Sequence, residues 1–503
     1  MKKLFVFVLA AVLLSTGMAF AANDSTVEIT GDYRFRYDYL KGDIQDYMQY
    51  NPFGATSIGP NMYVFATGIQ GHSVKNDDLM TNRFGVNIKA NPLEDVSVKA
   101  RFVMYKSWGH ETMGPAQGSY FADRAMGPMD GTVGHVPTDN TMRADYAYAT
   151  VSNVFGAPAW FSVGRRPSAG GIPGNIRQNQ DKLGTAGIPN IMVDYAFDGM
   201  TVGYAPDIEM LPGAYAKLCY GKGFDSGYQN TSGATLDDTE FLGLNVVPYD
   251  TEKLHVEVQW QKGWNIFSAP PDGMNSLVDT GLMSGGPASG SYLTVNTPVS
   301  ANMGDMDWLG GVVTSKMGNW NFFVSGAMVN TDPNDNTFSL PMMWVDDGDG
   351  VVEAGETSNG GFGLMYDAPA KESRSGTAYY IGARYDMASS GTKIGAEYNH
   401  GSKYWIGMVP AGDDMWTSKL GTRGDVYEVY VIQEIMRKAN SKNAKAFMKL
   451  GYQLYQFEYT GSNSWLGTPK KISDLNTANP AGIQMFAPVK EATDIYATFE
   501  VMF

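Results

Sequence analysis

Three observations in the sequence predict an all-β chain folded as a transmembrane antiparallel barrel of about sixteen strands, with eighteen as the alternative count. The N-terminus carries an export signal, long segments alternate apolar and polar residues, and short connections alternate with long ones. Composition agrees. The chain has 503 residues, of which 18% are charged and 13% aromatic, with 59 Gly and 29 Tyr and no low-complexity block. A soluble chain of that length would divide into domains of roughly 150 residues, and no linker composition marks such a division. The net charge of −15 removes the basic face that a nucleic-acid partner requires. A single cysteine, Cys219, excludes an intramolecular disulfide framework, a Cys-rich zinc site, an iron–sulfur cluster and covalently attached haem.

The export signal comes first. Met1-Lys2-Lys3 is basic, Leu4 to Leu14 is apolar, and Ala19-Phe20-Ala21 fits a small-x-small cleavage site. The apolar run is shorter than the roughly 20 residues a retained membrane helix needs. Residues 1–21 are therefore expected to be removed, leaving 22–503 as one barrel domain in the outer membrane.

The mature start alternates at once. Val27, Ile29, Tyr33, Phe35, Tyr37 and Tyr39 share one face, and Glu28, Thr30, Asp32, Arg34, Arg36 and Asp38 the other. Such a run exceeds the usual soluble strand of about 5–6 residues. The pattern returns at Leu254 to Gln261, at Thr392 to His400, and at Asp494 to Phe503, where a terminal Phe resembles the assembly signal of bacterial outer-membrane barrels. Short connections fall at 91–95, 153–158, 248–253, 317–319 and 388–391. Long ones fall near 40–80, 107–141, 167–190, 263–303, 331–375 and 460–490. Short periplasmic turns and long external loops are the habit of such barrels. Asp198-Gly199 has the form of a hairpin turn, but a turn there would make the strand count odd. One long strand over 191–205, with a bulge at Gly199, is expected instead.

Several stretches resemble an uncharacterised family of porin-like outer-membrane barrels of about this length. They are Asp32-Tyr33-Arg34-Phe35-Arg36-Tyr37, Val163-Gly164-Arg165-Arg166-Pro167-Ser168, Glu397 through Trp405, Gly451-Tyr452-Gln453 and Tyr459-Thr460-Gly461-Ser462. The resemblance spans most of the chain. It implies the fold and the location, and leaves the substrate open.

If the apolar parity faces lipid, the other lines the lumen. That parity carries Arg34, Arg36, Arg83, Lys89, Lys99 and Arg101 from the first strands, then Arg143, Glu257, Arg384, Lys393 and Glu397. Fixed charges in a narrow aqueous pore bias ion passage, and charges paired across strands merely solvate the wall. The Arg165-Arg166-Pro167 exit into a Gly- and Pro-rich loop suits a segment that folds inward and narrows the lumen. An external stretch, Asp346, Asp347, Asp349, Val351 and Glu356, falls in partial register with an EF-hand loop and is the candidate calcium site; Val345 stands where a first ligand belongs. His400 and Ser402 stand two apart on one strand face, a spacing similar to outer-membrane phospholipase, but none of that family's wider motif is found and no enzyme is expected.

The expectation is a channel for passive diffusion of small hydrophilic solutes or ions through a charged lumen, requiring no cofactor beyond possible calcium in a loop. Its partners are outer-membrane lipid, the solutes, and further copies of itself in a homotrimer. The alternative is a barrel that scaffolds an export or electron-transfer complex, or one that displays adhesin-like loops.

Overall fold

Alternation at the start of the chain builds β1 (Thr26–Ile44) in the computed structural model, and the same pattern generates the rest of the wall. The structure describes residues 26–503 apart from 52–53, 110–136, 138, 169, 183, 186, 227–235, 268–300, 348–355, 410–413 and 439–443. Segment 1–21 therefore lies outside the described residues. After β1 come β2 (His72–Leu93), β3 (Val96–Ser107), β4 (Arg143–Val151) and β5 (Ala159–Pro167). The middle of the wall is β6 (Ala196–Tyr204), β7 (Tyr215–Phe224), β8 (Thr239–Asp250), β9 (Leu254–Phe267), β10 (Asn302–Met317) and β11 (Trp320–Pro333). It finishes with β12 (Ser375–Met387), β13 (Thr392–Gly401), β14 (Gly424–Glu434), β15 (Lys445–Phe457) and β16 (Val489–Met502).

Each strand pairs antiparallel with its sequence neighbours, and β16 returns to β1 to close the barrel. The seam runs through Tyr33 opposite Val501 and Phe35 opposite Phe499. Past it, the Gly31 amide donates to the Phe503 carbonyl at 2.8 Å and the Phe503 amide donates back at 2.9 Å. A Cβ on Gly31 would stand 2.6 Å from the Phe503 ring and 2.7 Å from the Gly85 carbonyl oxygen. Only glycine lets the three strands approach so closely.

The parity follows the solvent. Val27, Ile29 and Val258 are 62%, 64% and 46% exposed on the outer face, where lipid would cover them. Arg34, Glu257 and Gln259 are buried on the inner face. Aromatic residues collect at both rims, as interfacial girdles do. Trp320 packs on Tyr385 at one end, and Tyr379, Tyr398, His400 and Tyr427 pack in succession at the other.

Two expectations change. The strand at Asp198-Gly199 is continuous, but it begins at Ala196 and has no bulge, since Asp198, Gly199 and Met200 pair in unbroken register on both sides. Residues 191–195 leave the wall, and Val193 bridges Met408 in the interior. The connections 205–214 and 435–444, and the opposite-end loops 225–238 and 402–423, carry no turn signal that was recognised in the sequence. At the long-loop end, segments 47–50, 66–69 and 483–484 form one small sheet, and 56–59, 62–64, 338–345 and 357–362 another.

Candidate functional site

The inner face carries two kinds of residue, and they divide the lumen. Along β8 to β12 it presents Phe241, Ile266, Met306, Trp308, Phe323 and Tyr380, all buried. Apolar side chains inside a barrel must be covered. They are covered by the chain itself. Loop 168–195 turns inward after β5 and packs Ile188, Ile191, Met192 and Val193 on this surface, and loop 402–423 adds Trp405, Ile406 and Met408. A second cluster joins Leu40, Leu79 and Tyr105 of the wall to Met415 and Trp416. The indole N–H groups are satisfied in place: Trp308 donates to the Ile406 carbonyl at 2.8 Å, Trp405 to Leu420 at 2.7 Å, Trp416 to Thr493 at 2.9 Å, and Trp465 of loop 458–488 to Phe267 at 2.9 Å.

Charged groups tie these loops to the wall. Arg177, at the end of a single helical turn (Gly174–Arg177), places Nη1 2.6 Å from Asp414 Oδ1 and 3.2 Å from Glu428 Oε2. Lys419 reaches the same Glu428 oxygen at 2.6 Å and also ion-pairs with Glu397. Gln453 donates to Asp414 at 2.8 Å and to Glu428 at 3.1 Å. Tyr496 donates to Glu428 Oε1 at 2.6 Å, and Tyr380 to Glu397 Oε2 at 2.5 Å. Tyr496 lies flat against β15 because residue 451 is glycine; a Cβ there would sit 2.2 Å from its ring. All the charged members are at least nine-tenths buried. Buried charges persist only when paired and hydrogen-bonded, and this network meets that condition.

Toward the short-turn end the lumen opens into a cavity of about 1140 Å³. Arg83, Lys99 and Arg101 line one wall, with Asp32, Asp145 and Tyr146; Gln178, Asn179, Gln180 and Asp181 of loop 168–195 face them. Arg101 bridges Asp32 at 2.6 Å and Asp145 at 3.2 Å, and Arg83 lies 3.4 Å from Asp32. Lys99 makes no hydrogen bond or ion pair with a described residue. The tip of the inward loop is held at this depth by Asn179, whose side chain accepts from Lys393 at 2.7 Å and donates to Glu434 at 3.2 Å.

The lumen candidates thus fall into three groups. Arg83, Lys99 and Arg101 border the cavity, and Lys89 sits opposite Lys99 in register. Arg34, Arg36, Glu257, Arg384 and Glu397 are buried in packed interior. There Arg36 pairs with Asp38 at 2.6 Å and Asp494 at 2.8 Å, Glu257 accepts from Asn245 at 2.7 Å, and Arg384 pairs with Asp386 at 2.6 Å. Arg143 and Lys393 stay partly exposed, paired with Asp139 at 2.8 Å and Glu434 at 2.8 Å. No periodicity marks Arg177, Asp414 and Lys419, which stand in loops between the wall strands. Glu428 could have been found, since Val426, Glu428, Tyr430 and Ile432 alternate along β14.

Of the calcium candidates, Asp349 and Val351 lie outside the described residues. Glu356 accepts from the Trp344 indole at 3.0 Å and from the Asp347 amide at 3.2 Å, and the Asp346 amide donates to the Asn61 carbonyl at 2.9 Å. Among the described residues no group of three or more His, Cys, Asp or Glu is arranged to hold a metal. His400 faces outward and meets Asp425 at 2.8 Å, while the Ser402 hydroxyl accepts the Thr377 amide at 2.8 Å. No hydrogen bond joins Ser402 to His400, the contact a Ser nucleophile and its base would make.

A family model described as a protein of unknown function (DUF3373) matches residues 73–503. A comparison with curated proteins gives no match. Among solved structures, the in-vitro folded outer membrane protein OmpT of Vibrio cholerae in its trimer form is similar at 11% identity and a TM-score of 0.41, over 96% of this chain and 100% of that one. OprB of Pseudomonas putida, in a high-pH structure, is similar at 10% identity and a TM-score of 0.41, over 95% and 94%. An anion-selective porin from Comamonas acidovorans is similar at 9% identity and a TM-score of 0.39, over 95% and 100%.

Proposed function

The chain belongs to the DUF3373 family, and for this porin-like outer-membrane barrel we propose a diffusion channel that passes small hydrophilic solutes or ions through a lumen narrowed by its own loops. The observation that carries the reading is the cavity between the β1–β4 wall and the tip of loop 168–195, open toward the short-turn end and bordered by charges of both signs. Charges of both signs around a narrow aqueous space act on passing ions at close range. A scaffold reading is less favoured, because loops 168–195, 402–423 and 458–488 occupy the interior that a partner protein would need. The exported form begins at Ala22 in this proposal, which N-terminal sequencing of the mature chain checks. Calcium bound by the 346–356 loop is part of it too, and calorimetry of wild type against Glu356→Gln tests that ligand. Native mass in detergent checks the homotrimer.

Planar-bilayer recording of the purified protein is the deciding experiment. Discrete, reproducible conductance steps are expected; a protein that inserts and stays silent at all voltages and salts is no diffusion channel. Selectivity follows from Lys99, whose charge is not spent on a carboxylate. Lys99→Glu is expected to move the reversal potential in a salt gradient toward cations, more so in dilute salt, where screening is weaker. An unmoved potential would place the ion path elsewhere.

A further inference from the structure

Arg166 is a buried cation with no ion pair among the described residues. Arg166 points inward from β5 and is 9% exposed, yet its guanidinium makes no hydrogen bond or ion pair with a described residue. Its Nε is enclosed and unpartnered, and its Cζ stands 5.7 Å from the Tyr148 ring centroid. Lys217, two strands along the wall and also buried, gives its ammonium to the carbonyl oxygens of Thr185 and Gly187. It makes no ion pair either. Two positive charges are thus held in the same corner of the interior. Glu257, on β9 of this wall, is engaged by Asn245 at 2.7 Å and His255 at 3.1 Å.

Beside Arg166 is a cavity of about 40 Å³, room for roughly three or four water-sized spheres at about 10–15 Å³ each. Arg166, Ser168, Thr201, Tyr220, Gln259 and Gln261 give it polar lining, Phe241 apolar lining, and no carboxylate among the described residues borders it. The Gln261 Nε2 is enclosed without an acceptor. The Thr201 hydroxyl is committed to Cys219 Sγ at 3.2 Å. So the cavity offers donors and a full positive charge. Water would satisfy the donors and leave the charge uncompensated, a costly state in a packed interior. A small anion satisfies both. A halide is the smallest anion that meets both needs and fits within that volume.

We propose that this cavity binds a chloride-sized anion, held by the Arg166 guanidinium and the Gln261 amide. Ile188 and Val193 of the inward loop form part of the same lining, so the ion joins loop 168–195 to the wall. The site does not depend on whether the lumen conducts.

The test uses the full-length protein in detergent, with chloride replaced by gluconate at constant ionic strength. The wild-type melting temperature is expected to rise with chloride, by about 2–4 °C once the site fills, and equally with bromide. Arg166→Met removes the charge and keeps the length. It is expected to lose the chloride response, and in gluconate to be at least as stable as wild type. An equal chloride response in Arg166→Met, or none in wild type, overturns the proposal. If the variant fails to fold, wild-type crystals soaked in bromide give an independent reading. An anomalous peak between Arg166 and Gln261 supports the site, and its absence from well-ordered crystals overturns it.

Discussion

Val324 stands 60% exposed on the outer face of β11, between Phe323, which is buried, and Ser325, which is turned inward to the Gly311 carbonyl. Neighbouring residues thus meet solvents as different as hydrocarbon and protein interior. Arg placed on the lipid face near the midplane costs about 2–4 kcal/mol. Val324→Arg is therefore expected to lower the yield of folded barrel sharply, whereas Lys99→Gln at the cavity wall leaves it unchanged. Gel mobility of unheated membrane samples reports both. Equal yields would contradict the inward and outward assignment. The same contrast explains what was readable residue by residue. Val27 and Ile29 declare themselves because lipid selects their side chains, and Arg34 declares itself as inward by opposition. That Arg34 ends in packed interior while Lys99 borders open space is not written in the parity, since both obey it equally.

At the level of elements, strands and loops differed in how much they disclosed. A strand of the wall has to alternate, because one face meets lipid and the next residue does not. A loop that folds inward obeys no such period. Segment 168–195 could be suspected from its Gly-Pro exit, yet segment 402–423, which supplies Asp414 and Lys419, carries Trp405, Ile406, Met415 and Trp416 in no strand or helix period. Its partners lie on β13, β14 and β15, and only the closed barrel brings them to Arg177. Removing one partner of such a buried set costs about 3–5 kcal/mol, because the others remain charged and unmatched. Arg177→Met is expected to unseat loop 168–195 while the wall stays formed. Limited proteolysis should then cut near residues 178–182, and single-channel conductance should rise. A variant as resistant and as narrow as wild type would mean that the apolar contacts of Ile188 to Val193 hold the loop without the ion pairs.

For the whole molecule, closure rests on one seam. Strands β1 and β16 meet with no turn between them, and their register depends on Gly31 accepting both Gly85 and Phe503 at close range. Gly31→Val is expected to weaken the seam and to lower the temperature at which the barrel opens, with little effect from the control Gly326→Ala, whose Cβ would meet nothing nearer than 3.8 Å. Heating series followed by gel mobility check the seam variant directly; an unchanged midpoint would show that the end of β16 is dispensable for closure.

The path of Arg177 through the sequence has a consequence for how the chain is made. Its two carboxylate partners are 237 and 251 residues further on, and contacts so distant must wait until the intervening chain is present and a very large loop has closed. When the first six strands are in place, loop 168–195 already exists, but Asp414 and Glu428 do not yet stand opposite it. During that interval Arg177 and the apolar run Ile188 to Val193 have only water or another protein to face. The half-built barrel therefore exposes a charged and greasy segment, the kind of surface that invites aggregation.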